Sequence, residues 1–247
     1  MKRIITTMII LLLCLAFAVS SQAEAFTIGK DSLFTLEVPE DMTYGLPDLD
    51  DPRPLKEAYY IAYITNVSGK TIQVENITAD IFDADGNLIS FGRSDRYCGS
   101  WYLEAGETTV VSYRTEIDKN AEAVKAKLTL HLSEDGCPDE QIGANEISVK
   151  SRYDPSSQCL YSTVKNISID RLKDFYVVSV LEDPDGNPIY FDTFSSGLMI
   201  LEPGNAVTAY SKLSDSVSLC KMLKVYFTEH HIEPGTVNTF VSRAVYE

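Results

Sequence analysis

The chain has 247 residues, of which 45% are hydrophobic and 23% charged; 36 acidic side chains face 21 basic ones, for a net charge of −15. That balance argues against nucleic acid and anionic lipid as partners, since both are held through clustered Lys and Arg. Only three histidines are present, which restricts acid–base and metal chemistry near neutral pH.

At the N-terminus, Lys2 and Arg3 precede an apolar run from Met8 to Val19 and a stretch of small and polar residues ending Ala23-Glu24-Ala25. This is the organisation of a secretory signal peptide over residues 1–23, and the run is shorter than the roughly 20 residues that span a bilayer. Leu13, before Cys14, is bulky where lipoprotein processing takes a small residue, so no lipid anchor is expected. Cleavage after Ala23 removes two bases and no acid, leaving 19 against 36, a balance of −17. The expected product is secreted, or held in the extracellular space or cell envelope, with no membrane insertion after signal cleavage. Residues 24–56 read as an N-terminal leader and extended linker, with Pro47, Pro52 and Pro54 interleaved with the oxygen-rich cluster Asp48, Asp50 and Asp51.

Beyond the leader the chain repeats itself. YYIAYITNVSGKTIQVENITADIFDADGNLISF, from Tyr59, aligns without a gap on CLYSTVKNISIDRLKDFYVVSVLEDPDGNPIYF, from Cys159. Asn66-Val67-Ser68 falls on Asn166-Ile167-Ser168, and Asp83 to Asn87 on Asp183 to Asn187, each at an offset of 100. Leu103-Glu104-Ala105-Gly106 then answers Leu201-Glu202-Pro203-Gly204. One duplication accounts for these matches and divides the chain into modules at 57–153 and 154–247. Period-two apolar rows (Tyr60, Ala62, Ile64 against Leu160, Ser162, Val164) mark strands with one buried face. AKLTLHL is expected to match MLKVYFT as a strand, with EISVKSRY and NTFVSRAVY closing the two copies. Short strands separated by Asp-Gly and Pro-Gly turns predict an all-β fold of two tandem Ig-like antiparallel β-sandwich domains.

In DADGN and DPDGN, glycine supplies positive φ and the first aspartate caps backbone amides. With the Asn-x-Ser turn, the pentads Ala79-Asp80-Ile81-Phe82-Asp83 and Ser179-Val180-Leu181-Glu182-Asp183, and the later glycine turn, each copy resembles the FxLYD-type extracellular β-sandwich modules of secreted bacterial proteins. The resemblance implies an accessory extracellular domain without a defined catalytic site. It carries no catalytic residues over to this chain.

Four cysteines follow the signal segment, in spacings with no CxxC and no interleaved histidine, so a zinc site is not expected. In an oxidising compartment an even count predicts two disulfides. Of the three pairings, Cys98–Cys137 and Cys159–Cys220 keep each bridge within one copy. Asp83 with Asp85, and Asp183 with Asp185, are weighed as calcium ligands against their role in turns; an oxygen-rich loop of about twelve residues closed by a bidentate glutamate is missing, so the turn reading leads. Tyr97, Trp101 and Tyr102 are the candidate ligand-binding residues, because exposed aromatics stack sugars, although Trp101 reads first as a core or cap residue over the Cys98 bridge. His131, His230 and His231 read as strand-end or surface residues. Asn66, Asn76 and Asn166 lie in N-x-Ser/Thr sequons.

These features predict a non-enzymatic, secreted or envelope-associated protein, without cofactor, in an interaction or structural-spacer role toward an unknown protein or glycan partner at the cell surface. A carbohydrate- or cell-envelope-binding protein using the Tyr97–Tyr102 loop is the alternative. An enzyme with its site between the modules is the third reading.

Overall fold

The computed structural model describes residues 25–38, 56–134, 146–172, 175–195, 200–212 and 218–243. The signal segment, the Asp48–Asp51 cluster and Cys137 lie outside the described residues. The fold is all-β apart from one helix, with four antiparallel sheets among those residues.

The first copy builds two sheets. Strands β1 (Phe26–Glu37), β2 (Lys56–Asn66), β6 (Thr108–Ile117) and β4 (Ser90–Cys98) pair in the order β1-β2-β6-β4; β5 (Tyr102–Leu103), β3 (Ile72–Phe82) and β7 (Lys125–Ser133) pair as β5-β3-β7. The second copy builds β12-β9-β8 from β8 (Ile147–Asp154), β9 (Cys159–Asn166) and β12 (Ala206–Lys212), and β11-β10-β13 from β10 (Phe175–Glu182), β11 (Pro188–Ser195) and β13 (Val237–Arg243).

A paired strand precedes each duplicated segment. Phe26–Glu37, placed in a leader by its sequence, runs antiparallel along β2 from Phe26↔Asn66 to Glu37↔Lys56 and is a full strand of the first sheet. EISVKSRY does not close the first copy: β8 pairs with β9 from Ile147↔Asn166 to Asp154↔Cys159, as β1 pairs with β2. The counterpart of β7 in the second copy is therefore β13, which pairs with β10 as β7 does with β3. MLKVYFT, expected to be a strand, lies in helix α1 (Ser218–Glu229). Leu219, Cys220, Met222, Leu223, Tyr226 and Phe227 recur at helical spacing, and α1 lays this stripe on the core. At its C-terminus His231 takes φ 54° while the Ile232 amide reaches back to Phe227 O at 2.9 Å, the left-handed cap that closes a helix.

Strand β2 is buried on both faces. Tyr60, Ala62 and Ile64 enter the core between the first copy's two sheets, with Ile77, Ile81, Leu103 and Val111. Tyr59, Ile61 and Tyr63 enter a second core shared by the two copies, with Phe34, Val110, Val178, Val180, Ile189, Leu223 and Phe227. The expectation of one buried face thus fails for β2, whose run YYIAYI has the unbroken apolar character of a doubly covered strand. Phe34 stacks on Tyr59 at 6.1 Å between centroids and meets Tyr226 edge-on at 5.3 Å. A third, smaller core of Ile147, Val164, Phe175, Val177 and Leu201 fills the second copy.

Polar contacts fix the two copies against each other. Tyr63 Oη donates to Glu182 Oε1, and Lys30 Nζ donates to the Asp185 backbone oxygen. At Gly99 a Cβ would lie 2.8 Å from Thr109 Oγ1 and 2.9 Å from Val178 Cγ1, so the contact between copies requires glycine there. Because the shared core includes full Ile and Phe side chains, each worth about 1.5–3 kcal/mol of burial, the copies are expected to unfold together. Ile61→Ala, in the shared core, is expected to lower stability by about 2–5 kcal/mol while keeping one cooperative urea transition. Two separated transitions in the unmodified protein would contradict the coupling.

Candidate functional site

The candidates are held by a frame that both copies share. Asn66 ends β2 fully buried, its Nδ2 donating to Lys70 O at 2.6 Å and Leu103 O at 2.8 Å, while its Oδ1 accepts from the Ser68 amide and hydroxyl at 2.9 and 2.7 Å. Asn166 repeats this: Nδ2 to Asp170 O at 2.7 Å and Leu201 O at 2.8 Å, Oδ1 from Ser168 N and Oγ at 2.9 and 2.8 Å. A buried side chain whose amide nitrogen is spent on two carbonyls has no room for a glycan, so these two sequons are architectural. Asn76 is half-buried within β3.

The aspartates weighed for calcium are committed to turns. Asp83 Oδ1 accepts the amides of Asp85 and Asn87 at 2.9 and 2.8 Å, and Oδ2 accepts Asn87 Nδ2 at 3.0 Å. Asp183 makes the same three bonds at 2.9, 2.8 and 2.9 Å. These donors, Asn87 first, hold the Asp83 carboxyl below the usual carboxylate range. Gly86 and Gly186 close the turns at φ 82° and 78°, a conformation costly for other residues. Asp85 and Asp185 are exposed beside them, and no cluster of three or more His, Cys, Asp or Glu suited to a metal occurs among the described residues.

No bond joins Cys159 to Cys220 among the described residues, and the Cys98–Cys137 pairing falls on a residue outside them. Cys98, Cys159 and Cys220 are buried thiols. Cys98 Sγ donates to Ser100 O at 2.8 Å, and burial pushes its thiol from 9.0 up to about 12. Cys159 sits at the start of β9 with Sγ 3.5 Å from Ser157 O, whereas α1 carries Cys220 into the shared core, 3.5 Å from Tyr190 Oη. The helix, expected as a strand from its sequence, is what places Cys220 beside Tyr190.

The aromatic loop is built on the edge of the first copy. Tyr97, opposite Ser112 in the β4–β6 ladder, is 56% exposed; Trp101, expected as a core or cap residue, is 41% exposed; Tyr102 is half-buried in β5 opposite Gln73. The Trp101 carbonyl accepts the Val74 amide at 2.7 Å and Ser100 Oγ donates to Tyr102 O at 2.6 Å, so the backbone is fixed while the rings face outward. No ring contact joins the three among the described residues.

Two other features were not singled out in the sequence. A hollow of about 180 Å³ lies between the copies, lined by Glu37, Lys56, Glu122, Tyr226, Glu229 and His230 among others. Lys56 pairs with Glu37 at 3.3 Å, and His230 stacks on Tyr226 at 4.0 Å. On the outer face of β12-β9-β8 the register aligns Arg152↔Tyr161↔Tyr210, Lys150↔Thr163↔Thr208 and Ser148↔Lys165↔Ala206. Arg152 lies 4.3 Å over the Tyr161 ring, Tyr161 is 6.4 Å from Tyr210, and Tyr210 is 73% exposed. The alternation in SVKSR, YSTVK and AVTAY carries this signal, but only pairing brings the three segments side by side.

The sequence matches no protein-family model and no curated protein. Among solved structures, a calcium-binding mutant of Bacteroides uniformis β-glucuronidase 2 aligns at 11% identity over 75% of this chain and 27% of its own, with a TM-score of 0.17. A likeness that slight carries no argument.

Removing either asparagine leaves buried carbonyls without a donor, so Asn66→Ala and Asn166→Ala are each expected to cost about 1–3 kcal/mol in denaturant unfolding. Glycan found by mass spectrometry at Asn66 or Asn166 of folded protein would contradict the assignment. A second expectation concerns alkaline pH. Burial raises the pKa of Cys98 and of Tyr59, Tyr60 and Tyr63. Folded values above unfolded ones mean that the neutral groups' contribution is whole below the ordinary thiol and phenol values and is lost as pH climbs through them. The thermal midpoint should therefore fall above about pH 9, and native Cys98 should resist alkylation at neutral pH until the chain unfolds.

Proposed function

We propose that this is an exported, non-enzymatic protein of two Ig-like β-sandwich modules, extracellular or attached to the cell envelope, that presents binding surfaces to a protein or glycan partner. The observation that carries the reading is the core shared between the copies. Tyr59, Ile61 and Tyr63 of one copy pack against Val178, Val180 and Ile189 of the other, so the modules form a stiff pair rather than beads on a linker. A stiff pair holds distant loops and faces at fixed separations, which suits display or spacing. Duplication of the frame, with divergence of what the frame carries, supports the same role.

Carbohydrate or envelope binding through the Tyr97–Tyr102 loop is the second reading, favoured by two aromatic rings exposed on a hydrogen-bonded backbone. An enzyme would have its site in the hollow between the copies. There, Lys56 already pairs with Glu37, and the His230 ring lies against Tyr226.

Glycan-array and envelope-fraction binding assays on the signal-free chain test the leading reading: retention of a partner is expected, with no turnover of glycosides or peptides. Tyr97→Ala with Trp101→Ala should abolish retention if the loop is the contact. Absence of any retained partner, or hydrolysis lost on His230→Ala, would overturn the proposal.

A further inference from the structure

The outer face of β12-β9-β8 differs in charge from the rest of this acidic chain. Three of its rows carry Arg152, Lys150 and Lys165 and no carboxylate; the next, Asp154↔Cys159, ends the face at one carboxylate, whose Oδ1 accepts the Ser156 amide and hydroxyl. Among the described residues none of these three cations is in an ion pair, whereas Lys56, Lys70, Arg114 and Arg171 each pair with an acid. Strand spacing makes each row about 10 Å wide, and rows on one face repeat about every 7 Å along the strands, so three cations and two tyrosines share one small flat field.

Within that field the geometry is suited to a sugar chain bearing negative groups. The Arg152 guanidinium sits over the Tyr161 ring, which holds it in place and leaves N–H groups for a carboxylate or sulfate. Tyr210, on the edge strand beside them, offers a ring for a pyranose to stack on. Thr163 Oγ1 and Thr208 Oγ1, 2.9 Å apart, add hydroxyls between the cations.

The corresponding face of the first copy shows what this one is not. An offset of 100 puts Ile61 at the place of Tyr161 and Tyr63 at that of Thr163, and those residues are sealed by the second copy. Polar replacements removed the apolar seal from the second copy's face. A second chain docking there in the same way would meet lysine and threonine instead of a core.

We infer that the β12-β9-β8 face, centred on Arg152, Tyr161 and Tyr210, binds an anionic polysaccharide. This rests on the interaction role proposed above and names its surface and ligand class. The net charge of −15 repels densely charged polymers, nucleic acid among them, and favours a polysaccharide whose charges are widely spaced.

Affinity electrophoresis of the signal-free chain in gels containing polygalacturonate, heparin or neutral dextran tests this. Retardation by one or both anionic polymers and not by dextran is expected, weakened by salt. Tyr210→Ala and Arg152→Gln are each expected to reduce affinity about tenfold. Melting temperatures should be unchanged, because these side chains are exposed, and Lys150→Gln serves as a second charge variant. Failure of both anionic polymers to retard the protein, or equal retardation of the Tyr210 and Arg152 variants, would overturn the inference. If Trp101→Ala abolishes binding and Tyr210→Ala does not, the interaction role survives on the other loop and this face is wrong. Sedimentation showing self-association that Tyr210→Ala removes would assign the face to a second copy of the chain and likewise overturn it.

Discussion

Burial of strand β2 on both faces is the constraint from which the rest of the molecule follows. A strand covered once leaves a sandwich with a free outer surface; a strand covered twice requires another layer. Tyr59, Ile61 and Tyr63 create that requirement, and the sheet β11-β10-β13 with helix α1 meets it. Polar groups on that side of β2 are largely buried and held by partners: Arg114 reaches Asp95 and lies 3.5 Å from Glu57, and Tyr63 reaches Glu182.

The second copy is adapted to serve as that cover. After the shared Asp-Gly turn, β4 of the first copy joins β6, whereas β11 stays with β10 as the other arm of its hairpin. This widens the covering sheet to three strands and brings Ile189 and Tyr190 into the shared core, at positions where the first copy has Ile89 and Ser90. Helix α1 adds Met222, Leu223 and Phe227. One duplicated frame therefore has two strand arrangements, chosen by which face must be covered.

What the copies keep in common is polar as well as apolar. Asn66 and Asn166 each tie a strand end to two carbonyls of a neighbouring segment, and a buried amide that satisfies all its donors and acceptors fixes register in a way that a leucine does not. What they do not share faces outward: Tyr97 and Trp101 on one copy, Arg152, Tyr161 and Tyr210 on the other. Binding chemistry is free to diverge at such positions because their side chains contribute little to the frame.

The repeat, the two Asp-Gly turns and the all-β class were legible in the amino-acid sequence, because each depends on local backbone preference or on alternation over a few residues. The aspartate caps were legible for the same reason. Misreadings arose where local pattern underdetermines partners. MLKVYFT satisfies both strand and helix periodicity, and only the apolar surface beneath it selects the helix. Phe26–Glu37 and Ile147–Asp154 were assigned by position in the chain, but strand membership is set by the partner edge each finds. An even cysteine count and module membership suggested pairing Cys159 with Cys220; where each thiol lies, beside Ser157 O and Tyr190 Oη, depends on packing that no local pattern encodes. The cationic face needed three segments, separated by up to about 60 residues, to be laid in register. Alternation determined which side chains share a face of each strand; long-range pairing and packing alone decided which faces meet one another and which meet solvent.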